Sequence, residues 1–306
     1  MRHPYEEHAT FAPLDAEGAA AFDPVLLAAL DEDVGGGDVT TLALIPADAE
    51  AHGAIASRRA GVAAGIPLAA RVFALVDPRV QVRMAAADGD RLLPGDVLLR
   101  VDGPARGILT AERVALNVLG RLCGIATLTR RYVDAVGGAG TRIVDTRKTT
   151  PGLRALERYA VRAGGGCNHR TGLYDAILIK DNHLAVVGSV RAALERAMAD
   201  APQGMPIEVE CDSLDQVREA LNAGARAILL DNMALDAMRE AVAMARGRAV
   251  LEASGGILLE RIPEIAATGV DLISVGALTH SVPALDVGLD FSPQDQGARR
   301  TQRNLA

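Results

Sequence analysis

Short apolar runs alternate with helical segments through the second half of the chain. Six of these runs predict buried β-strands, at residues 142–145, 176–180, 207–211, 227–231, 249–253 and 271–275. Apolar residues at helical spacing fill the intervals, and Gly224, Gly247 and Gly269 mark predicted helix ends. Repeated strand–helix units predict parallel strands covered by helices. The available length is too short for the usual eight units, so the pattern predicts an incomplete α/β barrel.

The pattern is different before about residue 115. Residues 23–30 predict a helix that Asp23 caps, and residues 110–122 predict a helix with Thr110 as its N-cap. Between them, residues 51–108 alternate or run apolar between Gly, Pro and Asp turns, which is typical of short strands in a compact β-layer. The first part of the chain is therefore predicted to differ in architecture from the second.

Positive charge is concentrated between the first two strands of the predicted barrel. Thr150 and Pro151 predict the start of a helix there, and Gly164 predicts its end in a left-handed conformation. Five residues that can be cationic surround this helix: Arg147, Lys148, His169, Arg170 and Lys180. So many like charges beside buried strands predict an anionic ligand.

Polar residues follow the carboxyl end of every predicted barrel strand. The early strands contribute cations, the middle strands carboxylates and the last two strands glycine turns. These residues are Asp145, Arg147, Lys148, Lys180, Asp181, Glu208, Glu210, Asp231, Glu252, Ser254, Gly255, Gly256, Ser274, Gly276 and Ala277. Barrel enzymes place their sites at this face, so the set predicts one active site. Taken singly, Asp181 or Ser274 is better explained as a cap of the next helix.

Two glycine turns, at residues 254–256 and 275–277, each lie between a predicted strand and a predicted helix. Glycine allows close approach of a ligand to the backbone, and barrels often bind phosphate with their last two loops. Ordinary glycine turns remain the alternative reading of the same pattern.

Composition narrows the class of ligand and the setting. The chain has 306 residues, a formal net charge of −7 and 3% aromatic residues, which argues against nucleic acid as a partner. Cys123, Cys167 and Cys211 are far apart, so no zinc site or disulfide framework is expected. The first residues lack an apolar signal core, and no apolar run approaches the length of a membrane span. We therefore expect a cytoplasmic protein that does not bind membranes.

These features predict a site for a polyanionic, phosphorylated substrate. Its carboxylates suit ribose hydroxyls, a divalent cation or developing positive charge. Two other hypotheses also fit the residues: a barrel aldolase in which Lys180 forms a Schiff base, and a non-catalytic module that binds anions. Borohydride trapping with a carbonyl substrate distinguishes the aldolase, and turnover of phosphoribosyl pyrophosphate distinguishes an enzyme from a binding module.

Seven motifs together resemble the quinolinate phosphoribosyltransferase family, and the resemblance extends over nearly the whole chain. They are T-R-K-T-T-P-G-L-R from Thr146, A-G-G-G-C-N-H-R from Ala163, I-K-D-N-H from Ile179, E-V-E from Glu208, L-L-D-N-M from Leu229, A-S-G-G-I from Ala253 and I-S-V-G from Ile273. The resemblance implies an N-terminal α/β sandwich, at 1–115 and joined by a C-terminal tail at 288–306, and an incomplete α/β barrel at 116–287. It also implies conversion of quinolinate and phosphoribosyl pyrophosphate to nicotinic acid mononucleotide, CO2 and pyrophosphate, with Mg2+.

The resemblance further implies roles for individual residues. Arg147, Lys148, His169 and Arg170 would hold the two carboxylates of quinolinate, and Arg113 would reach the same pocket from the neighbouring subunit of a homodimer. Catalytic roles fall on Lys148, Lys180, Glu210 and Asp231; both lysines would meet the phosphoribosyl donor, and Glu210 and Asp231 would hold its ribose and Mg2+. The other substrate-binding residues are Thr146, Ser254, Gly255, Gly256, Val275, Gly276 and Ala277.

Two related activities are the nearest rivals. One is a pyridine phosphoribosyltransferase of the molybdenum-transport-associated group, and the other uses nicotinate. The number of cations favours a dicarboxylate over a monocarboxylate. Assembly beyond a dimer is left open by the sequence.

Overall fold

A computed structural model describes residues 11–291. The described chain packs as two compact units: residues 12–127 with 283–291, and residues 128–282 with Phe11. The division falls between Thr127 and Leu128, inside one continuous helix, whereas the boundary expected from the sequence lies at residues 115 and 116 of that helix.

The first unit contains a mixture of short helices and antiparallel strands. Its elements up to the long helix are α1 (Ala16–Ala20), α2 (Asp23–Val34), α3 (Val39–Leu44), β1 (Glu50–Ser57), β2 (Gly61–Val62), α4 (Ile66–Val76), β3 (Gln81–Met84), β4 (Arg91–Leu92), β5 (Val97–Pro104) and α5 (Ala105–Ala135).

The second unit alternates strands and helices as the sequence predicts. Its elements are β6 (Arg142–Val144), α6 (Arg154–Ala163), β7 (Ile177–Ile179), α7 (Asp181–Val187), α8 (Val190–Asp200), β8 (Ile207–Cys211), α9 (Leu214–Asn222), β9 (Ala227–Asp231), α10 (Leu235–Ala245), β10 (Val250–Ser254), α11 (Ile262–Ala266), β11 (Leu272–Ser274) and α12 (Ala277–His280). The chain then returns to the first unit as β12 (Val287–Phe291).

The sheet of the first unit has the strand order β12-β1-β5-β3, and all of its pairs are antiparallel. Helix α4 contributes Phe73 to an apolar core, in which Ile55, Leu99, Ile108 and Leu119 are also fully buried. This arrangement is the predicted N-terminal α/β sandwich. The final strand joins it by pairing Phe291 to Gly53 at one end and Val287 to Ser57 at the other.

Six parallel strands form the sheet of the second unit, in the order β6-β11-β10-β9-β8-β7. Each predicted strand agrees with an observed strand to within one residue at either end. Cys167 forms an isolated parallel β-bridge with Val144 of β6. The predicted incomplete α/β barrel is confirmed.

Several helix predictions need correction. Residues 66–76, inside the segment predicted as β-rich, form α4, which starts after the left-handed Gly65 and has a proline in its first turn. The helix predicted at 110–122 is the middle of α5, so Thr110 is not an N-cap. The helix predicted after Thr150 begins at Arg154 instead. Its last residue is followed by Gly164 with φ −72°, and the left-handed glycine is Gly165 with φ 88°.

None of the helices in the described part of the chain is both long and apolar enough to cross a lipid bilayer.

Candidate active site

A cavity of about 530 Å³ lies at the carboxyl ends of the barrel strands. The strands supply its lining because side chains two residues apart on a strand share a face. Glu210 follows Glu208 in this way on β8, Asp231 follows Leu229 on β9, and Ser254 follows Glu252 on β10. All except Glu208 line the cavity. Each of these strands thus contributes a polar residue near its carboxyl end and a second residue, two positions earlier, on the same face of the strand.

Most of the predicted site residues meet in this cavity. Those that line it are Thr146, Arg147, Lys148, His169, Arg170, Lys180, Asp181, Glu210, Asp231, Glu252, Ser254, Gly255, Gly256 and Ser274. Val275, Gly276 and Ala277 are not among its lining residues. Their turn nevertheless lies against Lys148, since a Cβ at position 276 would be 3.1 Å from Lys148 Cδ, and Thr279 Oγ1 donates to the Lys148 carbonyl at 2.7 Å. Arg113 belongs to the other unit, on α5.

Asp145 organises the backbone beneath the cations. It is fully buried, and its two carboxylate oxygens accept the His169 backbone N–H at 2.7 Å and the Asn168 side-chain amide at 2.5 Å. Arg158 lies 3.6 Å away and also donates to the His169 carbonyl at 2.7 Å. Burial raises the pKa of Asp145 to about 6, although Arg158 and the two hydrogen bonds act in the opposite direction. The first strand end is thereby fixed to the segment that carries His169 and Arg170.

His169 is held at both ring nitrogens. Nδ1 accepts the backbone N–H of Arg170 at 2.7 Å. Nε2 lies 3.2 Å from Glu208 Oε2 and 3.4 Å from Glu252 Oε2. The ring is buried, so these contacts fix its orientation and the start of Arg170. A direct hydrogen bond from a ring nitrogen to a substrate would require one of these partners to be displaced.

Burial and mutual charge shift the pKa values of His169 and Glu252, which lie next to Glu208. Burial alone lowers the pKa of His169, but the carboxylates of Glu252 and Glu208 outweigh it and raise that pKa to about 10. That value favours a doubly protonated ring at neutral pH, whereas Nδ1 already accepts an N–H and has no room for a proton. Burial and the charge of Glu208 also raise the pKa of Glu252. The geometry therefore places a ring proton on Nε2, where it faces the two carboxylates.

The same three side chains have the composition of a metal site, because His169, Glu208 and Glu252 offer ligand atoms within 4.8 Å of one another. Nε2 of His169 is within hydrogen-bond distance of Glu208, whereas neither carboxylate oxygen of Glu252 has a hydrogen-bond partner among the described residues. A metal ion bound there would have to replace the proton at Nε2. We assign this cluster to the positioning of His169, because Glu208 and the Arg170 backbone N–H hold the ring at both nitrogens, and the more exposed carboxylates lie nearer the cavity mouth.

Two carboxylates stand at that mouth. Glu210 accepts a hydrogen bond from Lys180 Nζ at 3.2 Å, and Asp231 accepts one from the Asn232 side-chain amide at 2.9 Å. Both residues close neighbouring strands and line the same cavity. Their oxygens are the hard ligands that Mg2+ prefers.

Arg147 carries a donor that the protein does not use. Its Nε is buried and has no hydrogen-bond partner within residues 11–291, although the residue lines the cavity. A buried guanidinium N–H without an acceptor costs free energy unless a ligand supplies one. A bidentate carboxylate is the acceptor that best matches the guanidinium fork.

The glycine turns differ from the sequence-based expectation. Gly255 and Gly256 adopt φ values of 100° and 55°, but the chain continues through a 3-10 turn at Leu259–Arg261 before α11 begins. Only the later turn opens directly into a helix, with Gly276 as the N-cap of the four-residue α12. The helix-dipole argument for phosphate binding therefore does not apply to the first turn, where the close approach that glycine allows between a ligand and the backbone remains the relevant feature.

Glu208 and Glu252 were predicted only as polar residues near strand ends, with no role assigned to them, and Asn232 was not predicted as a site residue. Period-two counting along I-E-V-E-C and V-L-E-A-S places each buried glutamate on the inward face, two residues before a strand end. That signal was available in the sequence. Nothing in the sequence indicates the backbone conformation of Asn232.

Comparisons with known proteins agree with this geometry. Residues 38–123 match the model for the quinolinate phosphoribosyl transferase N-terminal domain, and residues 125–290 match the model for its C-terminal domain. The chain is 49% identical over 285 residues to the nicotinate-nucleotide pyrophosphorylase [carboxylating] of Mycobacterium leprae, covering 90% of this chain and 99% of the relative. It is 46% identical over 261 residues to the probable enzyme of that name from Bacillus subtilis, covering 85% and 90% of the two chains.

Solved structures lead to the same assignment. The fold matches that of NadC from Streptococcus pyogenes with a TM-score of 0.87 and 43% identity, covering 92% of this chain and 99% of the other. Both domain models, the similar relatives and the shared fold extend over the barrel and the preceding sandwich. The chain belongs to the quinolinate phosphoribosyltransferase family.

Proposed function

We propose that this protein converts quinolinate and phosphoribosyl pyrophosphate to nicotinic acid mononucleotide, CO2 and pyrophosphate, the step that supplies pyridine nucleotide for NAD synthesis. The relatives named nicotinate-nucleotide pyrophosphorylase [carboxylating] support this reaction. The single observation that carries it is one cavity in which cationic side chains for a dianion face carboxylates suited to a sugar.

Quinolinate is held by the cations of the first two strand ends. Arg147 offers its unused guanidinium Nε, and Arg170 and Lys148 line the same wall. His169 belongs to this pocket and holds the Arg170 backbone through Nδ1, so its contribution is to orientation. Thr146 completes the wall, and its hydroxyl accepts the Lys148 backbone N–H at 3.1 Å.

The phosphoribosyl donor is bound across the middle and late strands. Glu210 and Asp231 accept hydrogen bonds from its ribose hydroxyls. Lys180, which pairs with Glu210, contacts the pyrophosphate. The turns at 254–256 and 275–277 receive the 5′-phosphate. The position of Lys148 against Gly276 supports this assignment, because one lysine then borders both substrates.

Mg2+ fits the donor set of Glu210 and Asp231, whose carboxylate oxygens lie at neighbouring strand ends. These residues would hold it, mainly together with the pyrophosphate of the donor. When bound, the ion supplies positive charge that stabilises the leaving pyrophosphate.

The reaction follows from the charges around the cavity. The bond from the anomeric carbon to pyrophosphate breaks, and its electron pair leaves with pyrophosphate. Glu210 and Asp231 stabilise the positive charge that develops on the sugar. The pyridine nitrogen then bonds to the anomeric carbon and becomes cationic. The adjacent carboxylate leaves as CO2, the ring carbon retains the electron pair, and that carbon takes up a proton.

Arg113 reaches the active site in a homodimer, where α5 of one subunit places this residue in the active site of the other. An assembly larger than a dimer is compatible with this arrangement. The resemblance to the family supports the proposal.

A turnover assay tests the function. The protein is incubated with phosphoribosyl pyrophosphate, Mg2+ and either quinolinate or nicotinate, and mononucleotide, pyrophosphate and CO2 are measured. We expect equal amounts of the three products from quinolinate and little from nicotinate. Mononucleotide from nicotinate without CO2, or no turnover of either pyridine, would contradict the proposal and favour one of the related phosphoribosyltransferases.

A further inference from the structure

Asn232 has an unusual backbone conformation for its place in the fold. In residues 11–291, Asn232 and Arg246 are the non-glycine residues with positive φ, at 54° and 43°. Arg246 is the C-cap of α10, where left-handed residues are common. Asn232 instead follows directly on β9, at the rim of the cavity. A left-handed non-glycine residue costs free energy that surrounding contacts must offset.

Three contacts of Asn232 account for that conformation. Its side-chain amide donates to Asp231 Oδ2 at 2.9 Å. Its backbone N–H donates to the Ser254 carbonyl at 3.0 Å. Its Oδ1 and Cγ also lie where a Cβ at position 255 would be, so Gly255 packs directly on the amide. One residue thus connects the carboxylate that ends β9 to the turn that follows β10.

We propose that Asn232 is a positioning residue, which orients the Asp231 carboxylate and fixes the Gly255 turn against it as one unit for binding the phosphoribosyl donor. This inference rests on the proposed function, since it assigns the donor to Asp231 and the turn.

No other residue type meets the same requirements. Glycine would adopt φ 54° without strain but has no amide to donate. Alanine has neither the tolerance for positive φ nor the donor. Aspartate fits the shape and tolerates the backbone, but it would place a second carboxylate against Asp231. Asparagine combines a tolerated left-handed backbone with an N–H for the carboxylate and a carbonyl that packs under Gly255.

The contacts of Asn232 reach the donor side of the cavity and none of the cations assigned to quinolinate. A positioning role therefore predicts a selective defect. Affinity for the phosphoribosyl donor falls when the amide is lost, while the Michaelis constant for quinolinate stays unchanged. A role limited to stability predicts no such difference between the two substrates.

The test compares Asn232→Gly with Arg246→Gly, the matched exchange at the other positive-φ residue. Both exchanges relieve backbone strain but also give the unfolded chain more freedom, so both variants should fold and unfold thermally near the wild-type temperature. In equilibrium binding with phosphoribosyl pyrophosphate and Mg2+, Asn232→Gly should bind roughly tenfold or more weakly, the cost of losing a hydrogen bond to a charged group. Arg246→Gly should bind as the wild type does.

A second variant and a crystal structure make the outcome independent of turnover. Asn232→Asp should weaken donor binding at least as much as Asn232→Gly, and the Asp231 carboxylate should rotate from its wild-type orientation in both crystal structures. Wild-type donor affinity in Asn232→Gly, or an unmoved Asp231 in both variants, would overturn the positioning role. Failure of the wild type to bind or turn over the donor would instead overturn the proposed function, and the crystal structures would still decide whether Asn232 orients Asp231.

Discussion

Arg147 shows how a single residue connects folding cost with function. The described part of the chain offers its buried Nε no acceptor, and the cavity that Arg147 lines is where an anion would bind. We predict that Arg147→Ala lowers kcat/KM for quinolinate roughly 10- to 150-fold, the range for a lost charged hydrogen bond. Steady-state kinetics with varied quinolinate measures this.

Arg239→Ala is a suitable control for that substitution. Arg239 lies on α10, is about half exposed and pairs with Asp236 three residues away. Exposed pairs of this kind contribute little, so kinetics and stability should remain close to those of the wild type. Equal kinetics for the two variants would remove Arg147 from the substrate pocket.

Asp145 predicts a pH dependence of stability. Its pKa is about 6 in the folded protein, above the usual 3.8, so the unfolded chain loses this proton first as the pH rises. The stability that this proton contributes to the folded state is complete below pH 3.8 and is lost as the pH rises through 6. The free energy of unfolding falls by about 3 kcal/mol over this range, because the group is fully buried.

The measurement is the free energy of unfolding of the wild type and Asp145→Asn at a series of pH values. Asparagine does not titrate, so the stability of the variant relative to the wild type should improve between about pH 4 and pH 7. The variant also loses an acceptor for His169 or Asn168, which lowers its stability by a pH-independent amount. A constant difference across this range would contradict the raised pKa.

At the scale of elements, the parallel strands were predictable because each is a short apolar run between helices. The sequence was less informative in the first unit. Residues 66–76 read I-P-L-A-A-R-V-F-A-L-V, and their apolar character on several sides hides the helical period that the fold uses. The start of α5 was also missed, because β5 passes into the helix without an intervening turn.

Prediction of the site followed the same division. Charged residues at strand ends were identified because the carboxyl ends of all parallel strands in a barrel lie at the same face. The roles of Glu208 and Glu252 depend on distances to His169 that no spacing along the chain supplies. The conformation of Asn232 likewise depends on contacts with β10, which tertiary packing alone creates.

Helix α5 carries a glycine that its packing requires. A Cβ at Gly124 would overlap the carbonyl oxygen of Pro283 and lie 3.2 Å from Ala284 Cα. Alanine gains about 1 kcal/mol of helix propensity over glycine, but overpacking against backbone costs about 1–3 kcal/mol. We predict that Gly124→Ala lowers the free energy of unfolding, which denaturant titration measures.

Gly36→Ala provides the comparison for that exchange. No atom of the described residues lies within 4 Å of a Cβ at Gly36, and the φ of Gly36 is not in the left-handed region. The free energy of unfolding of Gly36→Ala should differ from that of the wild type by less than about 0.5 kcal/mol. A neutral or stabilising Gly124→Ala would show that the segment after Pro283 moves aside at little cost.

At the scale of the whole molecule, the proposed sharing of Arg113 predicts complementation between inactive subunits. Arg113→Ala and Arg147→Ala should each be impaired as homodimers. A mixed dimer holds one site with both substitutions and one site with neither, so random mixing of equal amounts should restore about a quarter of wild-type turnover. The measurement is activity after co-expression and purification of both variants.

Co-expression of Arg147→Ala with Arg170→Ala is the control, because both residues belong to one chain's own cavity. Every site in that mixture carries a substitution, and activity should stay at the level of the separate variants. Recovery in the control but not in the Arg113 mixture would contradict the shared site.

The pairing of β12 with β1 has a consequence for synthesis of the protein. Because Val287–Phe291 completes a sheet whose other strands lie before residue 105, a ribosome must translate the entire barrel before that sheet receives its last strand. Until then one side of β1 presents unpaired backbone groups to other nascent chains, a condition that invites aggregation. Early release of the polypeptide, before residue 287, would therefore endanger the first domain to be made rather than the last.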